Sequence, residues 1–321
     1  MTHRIGILIE THNGQVKAAH QGMVSLAGTP GAEVYAIVPD ADCEPLAAQM
    51  ASYGMANILS VRVSGMEDPD PDTRATALVS AIKETGITTL VGLCSATGKD
   101  LLPRIAALLD APLVMDCFDV DLDKKTARTI QYAGKTMATV KLRGDRTVFG
   151  VKPNAGTPRQ SCKDVTLLEH VVLPPDAARM RRTKQQGKNE SETIGLADAD
   201  VIIAGGRGMK GPENFAVLFE CADTLNAAVG ASRAAVDAGW VPYAMQVGQT
   251  GEKVSPKVYI ACGISGSVQH LAGMQTSGTV IAVNTDKHAP IIAKSDYYVI
   301  ADALEMVPQL TAALKRKFNA A

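Results

Sequence analysis

Between Arg4 and Phe118, short and almost continuously apolar runs alternate with longer amphipathic segments, and this alternation leaves few folds open. The runs are Arg4–Ile9, Glu33–Pro39, Asn57–Val63, Thr88–Cys94 and Pro112–Phe118. Helical stretches fall between them near Val16–Ala27, Glu44–Tyr53, Asp72–Thr85 and Asp100–Leu109. The last carries Leu101, Leu102, Ile105, Leu108 and Leu109 on one broad face. Strands covered on both faces by crossover helices are apolar at nearly every position, because neither face meets water. The pattern predicts an α/β domain on a parallel sheet.

From Asp121 to Pro153 the texture changes. Thr126–Tyr132, Met137–Leu142 and Thr147–Val151 are short β-like runs punctuated by Gly134 and Gly144-Asp145, as in a meander. Pro174-Pro175 and a polar stretch near 176–195 then read as a linker. The 321 residues fit two domains at roughly 150 residues each. The division predicted is 1–195 and 196–321. The second part restarts with a strand at Val201–Ala204. A helix follows Gly211 and Pro212, with Phe215, Leu218, Phe219, Ala222 and Leu225 on one face. Strands are expected at Lys257–Ala261, Thr279–Val283 and Tyr297–Ala301. A last helix is expected from Pro308 to Lys315-Arg316-Lys317, cations that suit the negative end of the helix dipole.

Charge excludes some partners. Of 32 basic and 33 acidic residues, 10 and 11 fall after residue 195, so neither part has the basic surplus of a nucleic-acid binder. No apolar run is long enough for a membrane span. Ile5–Ile9 stops at Glu10 and is too short for a signal-peptide core. The six cysteines are scattered without a C-x-x-C pair, which argues against a locally held zinc or iron–sulfur site and for reduced thiols in a cytoplasmic protein. No metal ligand set is expected.

Three glycine-bearing turns carry the chemistry. Gly206-Arg207-Gly208-Met209-Lys210-Gly211 matches G-x-G-x-x-G between an expected strand and an expected helix, where glycines admit a close ligand and leave amides for an anion. The acidic residue expected at the end of the next strand of an NAD site is missing: that strand runs Val229-Gly230-Ala231-Ser232-Arg233. Cys262-Gly263-Ile264-Ser265-Gly266-Ser267 likewise leads from a strand into a helix, and consecutive amides with two hydroxyls suit a pyrophosphate. The third is Gln246-Val247-Gly248-Gln249-Thr250-Gly251. Each has a bland alternative as an ordinary turn, but two strand-to-helix glycine turns in one domain favour a dinucleotide ligand.

In order, these segments resemble the alpha subunit of electron transfer flavoproteins. The resemblance runs from about 199 to 315 and includes Gly205–Gly208, Glu213–Phe215, Ala228–Trp240, Gln246–Gly251, Gly263–Gly266, Gln269–Met274 and Ala282–Asp286. The first 195 residues match less sharply, mainly by layout and by Tyr132-Ala133-Gly134-Lys135. The resemblance implies an N-terminal domain like the adenine nucleotide hydrolases, followed by a Rossmann-like domain that binds FAD. It also implies a heterodimer with a beta subunit. Arg207, Ser232 and the turn Val247, Gly248, Gln249 and Thr250 would hold the flavin and its diphosphate. Ser265, Gly266, Ser267, Val268, Gln269 and His270 would cover the pyrophosphate and reach the ring. Asn284 and Asp302 would lie by the adenosine. Thr250 would offer a hydroxyl to the ring, and His270 a donor. Arg233 would add a positive charge, so that these groups stabilise negative charge on the ring and tune its one-electron potentials.

The function implied is an electron carrier and not an enzyme. Electrons would come from a flavin dehydrogenase of the acyl-CoA type, as in fatty acid beta-oxidation, and pass to a quinone oxidoreductase. Two alternatives stand beside it. One is a subunit of an NADH-dependent bifurcating complex with a second FAD in the beta subunit. The other, from a different class, is an NAD(P)-dependent Rossmann oxidoreductase.

Overall fold

The computed structural model describes residues 3–319 apart from 13, 18, 29–30, 133–135, 154, 158–163, 175–194 and 198. Almost all of the expected linker, together with Ala133-Gly134-Lys135 and Cys162, lies outside the described residues. The chain divides into two units: Met1–Ile130 with Met137–Gln186, and Gln131–Thr136 with Gly187–Ala321.

In the first unit β1 (His3–Leu8) is followed by a small antiparallel pair, β2 (Thr11–His12) and β3 (Gln15–Val16), so α1 starts only at Ala19 and runs to Ala27. Then come β4 (Ala32–Pro39), α2 (Ala47–Ser52), β5 (Asn57–Val63), α3 (Pro71–Glu84), β6 (Thr89–Leu93), α4 (Ala96–Leu108) and β7 (Leu113–Asp121). Helix starts follow local chemistry. The Asp70 carboxylate accepts from the amides of Asp72 (3.1 Å) and Thr73 (3.2 Å) ahead of α3, with Pro71 at the first helical position. Ser95 accepts from the Gly98 amide (3.0 Å) ahead of α4. The remaining strands are β8 (Thr126–Gln131), β9 (Thr136–Lys141), β10 (Thr147–Val151) and β11 (Thr166–Val172).

The nine strands order as β11-β5-β4-β1-β6-β10-β7-β8-β9. Two expectations are corrected here. Thr147–Val151 is not the end of a meander: β10 inserts in parallel between β6 and β7, and all five of its residues are buried. A run without polar alternation suits a strand covered on both faces. Of the expected meander, β8 and β9 do lie side by side, at the edge of the sheet, and β8 pairs antiparallel with β7 on its other side. The second correction is β11, an edge strand parallel to β5 that the sequence reading passed over, because Glu169 and His170 interrupt its apolar run.

The second unit contains β12 (Val201–Gly205), α5 (Ala216–Leu225), β13 (Ala228–Ala231), α6 (Arg233–Asp237), β14 (Val258–Cys262), α7 (Val268–Met274), β15 (Thr279–Asn284), β16 (Tyr297–Ile300) and α8 (Ala303–Asn319). Its all-parallel sheet orders as β13-β12-β14-β15-β16. That is the doubly wound arrangement in which the first strand lies between the second and the third. Successive residues of β12 divide between two cores, Ile202 and Ala204 on one face and Ile203 on the other. On α5, Leu218 and Ala222 pack inward with Cys221, whereas Phe219 faces outward, contrary to expectation. The last helix begins at Ala303 and not at Pro308, because the Asp302 carboxylate accepts from the Leu304 amide (3.0 Å) and caps it there.

Candidate functional site

In a doubly wound sheet the chain leaves the first and third strands toward opposite faces, so a crevice opens beyond their carboxyl ends. Here those ends are Gly205 and Cys262, and the two glycine turns follow them. The turns lock together. The amides of Gly206 and Gly208 donate to the carbonyls of Cys262 (2.9 Å) and Gly263 (3.0 Å). A Cβ on Gly208 would stand 2.6 Å from the Gly263 Cα, and one on Gly263 would stand 2.7 Å from the Gly208 Cα. Gly263 also has φ +60°, which strains any side chain. Gly206 and Gly208 of the G-x-G-x-x-G motif therefore serve backbone-to-backbone packing, and these two amides are not left for an anion. The motif enters a single tight turn at Arg207–Met209, well before α5. The second turn differs. Among the described residues, no protein acceptor takes the amides of Ser265, Gly266 and Ser267.

A cavity of about 570 Å³ lies over these strand ends, within the range of cofactor sites, roughly 300–1,000 Å³. Arg207 lines it from the turn after β12, and Ser232 and Arg233 from the end of β13. Val247, Gly248, Gln249 and Thr250 contribute the third turn, and Ser265, Gly266, Ser267, Gln269 and His270 the segment after β14. Asn284 closes it at the end of β15. Two expected residues are not among the lining groups. Val268 opens α7 and is exposed. Asp302 is committed elsewhere, to the α8 cap and to Lys210 Nζ at 2.6 Å, which holds its carboxyl below the usual range.

Asp237, Gln246 and Asp286, which fall within the quoted motifs without an expected ligand role, also line the cavity. Asp237 accepts from Arg233 Nε at 3.1 Å, a pairing that the spacing of four along α6 could have revealed. It is the one acid of this strand-to-helix segment, one turn beyond the position that an NAD site requires. Gln246 is buried, and its Nε2 donates to Thr250 Oγ1 at 3.0 Å. Tyr243 donates its hydroxyl to the Thr250 carbonyl, so both ends of that residue are held. Asn284 donates to the Ile264 carbonyl (2.8 Å) and accepts from the Asp286 amide (3.0 Å), which ties β15 to the second turn.

Two lining side chains carry buried polar atoms without a hydrogen-bond partner, Ser232 Oγ and His270 Nδ1. Such atoms cost about 1–3 kcal/mol each unless something satisfies them. Burial also pushes the His270 pKa down to about 4, opposed in part by the Val247 carbonyl, so the imidazole is neutral at pH 7. The cavity thus presents two guanidinium groups, hydroxyls, backbone amides and a neutral imidazole. That donor set suits a ligand with a diphosphate and acceptor-rich rings.

Residues 5–186 match the family model described as the electron transfer flavoprotein domain. Residues 195–275 match the electron transfer flavoprotein FAD-binding domain. The chain belongs to the electron transfer flavoprotein alpha family. The electron transfer flavoprotein subunit alpha of Syntrophomonas wolfei is 34% identical over 318 residues, 97% of this chain and 98% of that protein. The same subunit of Pseudomonas aeruginosa is 35% identical over 309 residues, 96% and 99% of the two chains. That of Megasphaera elsdenii is 38% identical over 301 residues, 91% and 89%. In this alpha-family chain, every lining residue from Arg207 to His270 falls within the matched FAD-binding domain.

Proposed function

We propose that this chain is the alpha half of a heterodimeric electron carrier, with FAD held in the cavity of the second unit. The observation that carries the reading is the cavity itself. It sits at the crossing point of a doubly wound sheet, inside the family's FAD-binding domain, and two of its wall side chains have buried polar atoms awaiting partners. FAD would supply storage of one or two electrons between donor and acceptor. The amides and hydroxyls from Ser265 to Ser267, with Arg207, would bind the diphosphate. Thr250, oriented by Gln246, would present its hydroxyl to the flavin, and Arg233 would set a positive charge near it. Asn284 would border the adenosine end.

The beta subunit is proposed as the permanent partner. Four consecutive apolar residues of β16, Tyr297 to Ile300, are exposed, although strands of parallel sheets are normally covered on both faces. Among the described residues, no helix is long and apolar enough to cross a membrane. The setting we propose is the cytoplasm, with an acyl-CoA dehydrogenase type of flavoprotein as donor and a quinone oxidoreductase as acceptor. Family membership favours this carrier over a self-contained NAD(P) oxidoreductase. The test is to mix the purified heterodimer, under argon, with an acyl-CoA dehydrogenase and its substrate, and separately with NADH. Bleaching of the flavin by the first alone supports the simple carrier. Bleaching by NADH, with two FAD per heterodimer, would establish the bifurcating alternative instead.

A further inference from the structure

Tyr259 lies in the middle of β14 and is fully buried, yet its hydroxyl reaches a residue of the cavity wall. It stands 3.0 Å from His270 Nε2, and the two rings are tilted at 59° with centroids 6.1 Å apart. His270 is itself 4% exposed, lines the cavity, and has no hydrogen-bond partner at Nδ1. A neutral imidazole carries one proton, on either nitrogen, and hydrogen-bond satisfaction decides which.

Consider the two tautomers. With the proton on Nε2, that N–H would donate to the phenol oxygen. The phenol O–H would then be a buried donor without an acceptor, since His270 is its only hydrogen-bond partner among the described residues. The Nδ1 lone pair would be unmet as well. With the proton on Nδ1, the phenol O–H donates to the Nε2 lone pair and both are satisfied. One buried donor is left, the Nδ1–H. Buried polar groups without partners are costly, so the arrangement with fewer of them prevails.

We infer that Tyr259 is a positioning residue that holds His270 as the Nδ1–H tautomer, so that the cavity offers its ligand a fixed, uncharged hydrogen-bond donor. The inference rests on the FAD reading only for the identity of the acceptor, which would be an oxygen or nitrogen edge of the flavin ring. A neutral donor aimed at such an edge strengthens as negative charge builds there. Burial keeps the phenol protonated, because it raises the Tyr259 pKa, and the donor role therefore persists across the working pH range.

The test uses the FAD-loaded heterodimer with ¹⁵N-labelled histidine. At pH 7 the long-range ¹H–¹⁵N spectrum of the wild type should show His270 with a pyrrole-type Nδ1 and a pyridine-type Nε2, assigned by loss of its signals in His270→Gln. Tyr259→Phe keeps the ring and removes only the hydroxyl. It should move His270 to the Nε2–H pattern or to an exchange average, and should shift the first one-electron midpoint potential to a more negative value. An Nε2–H pattern in the wild type overturns the inference without any variant. So does Tyr259→Phe with an unchanged Nδ1–H pattern and an unchanged potential. A complex that purifies without flavin defeats the FAD reading instead, and its spectrum still decides the tautomer.

Discussion

His20 shows how much one side chain can load onto a fold. It is fully buried, its Nε2 accepts from the Glu10 amide at 2.9 Å, and its Nδ1 has no partner. Burial, reinforced by Lys17, lowers its pKa from 6.5 to about 3. With His270 near 4, the chain has two histidines that are neutral when folded and protonated when unfolded at mildly acidic pH. The unfolded state then binds more protons, so stability is full above pH ~6.5 and falls as the pH drops toward the folded pKa values. At pH 5.5 each histidine removes about 1.4 kcal/mol. Urea unfolding of the full chain should therefore show a lower midpoint at pH 5.5 than at pH 7, and His20→Gln should flatten that difference. An equal slope in the variant would contradict this role. In the sequence His20 stands near His3 and His12 without metal-ligand spacing, and nothing there marks it. Its burial was not legible because it depends on Glu10 arriving from a different element.

The glycine turns were legible as a place but not as a mechanism. Spacing located Gly206, Gly208 and Gly263 at strand ends, and the crevice is there. That their amides and Cα atoms serve each other depends on β12 and β14 being neighbours, which a linear pattern does not reveal. Gly208→Val places a side chain where only 2.6 Å separates its Cβ from the Gly263 Cα. Stability should fall by about 1–3 kcal/mol, read as a lower Tm, and FAD should be retained less well. An unchanged Tm would show that the two turns can part freely. Elsewhere the limits of pattern reading were similar. β10 was found to the residue but assigned the wrong neighbours, because a short apolar run does not say whether it ends a hairpin or enters a parallel sheet. Asp302 is placed by the adenosine through the family resemblance alone, and in the structure its carboxylate caps α8 and pairs with Lys210. Asp237 was passed over, although its pairing with Arg233 is local.

The whole chain reads as part of an assembly. Its two units each carry a sheet covered on both faces by separate cores, yet both leave apolar edge strands uncovered. In β16 Tyr297 is 67% exposed, and beyond β11 Leu173 is 84% exposed. Neither edge stood out in the sequence, where short apolar runs look the same whether they are covered by the chain's own helices or by a partner. The low aromatic content and abundant glycine were informative once located: backbone approaches and small polar side chains, not aromatic walls, shape the cavity. The placement of FAD is tested most directly by extracting and counting flavin from three purified heterodimers: the wild type, Ser265→Glu and Lys315→Gln. Ser265→Glu puts a negative charge among the amides proposed for the diphosphate, whereas Lys315→Gln alters an exposed residue of α8 that pairs with Glu220 and does not line the cavity. One FAD per alpha chain in the wild type and in Lys315→Gln, with little in Ser265→Glu, is the expected result. Full FAD occupancy in a folded Ser265→Glu heterodimer would contradict it.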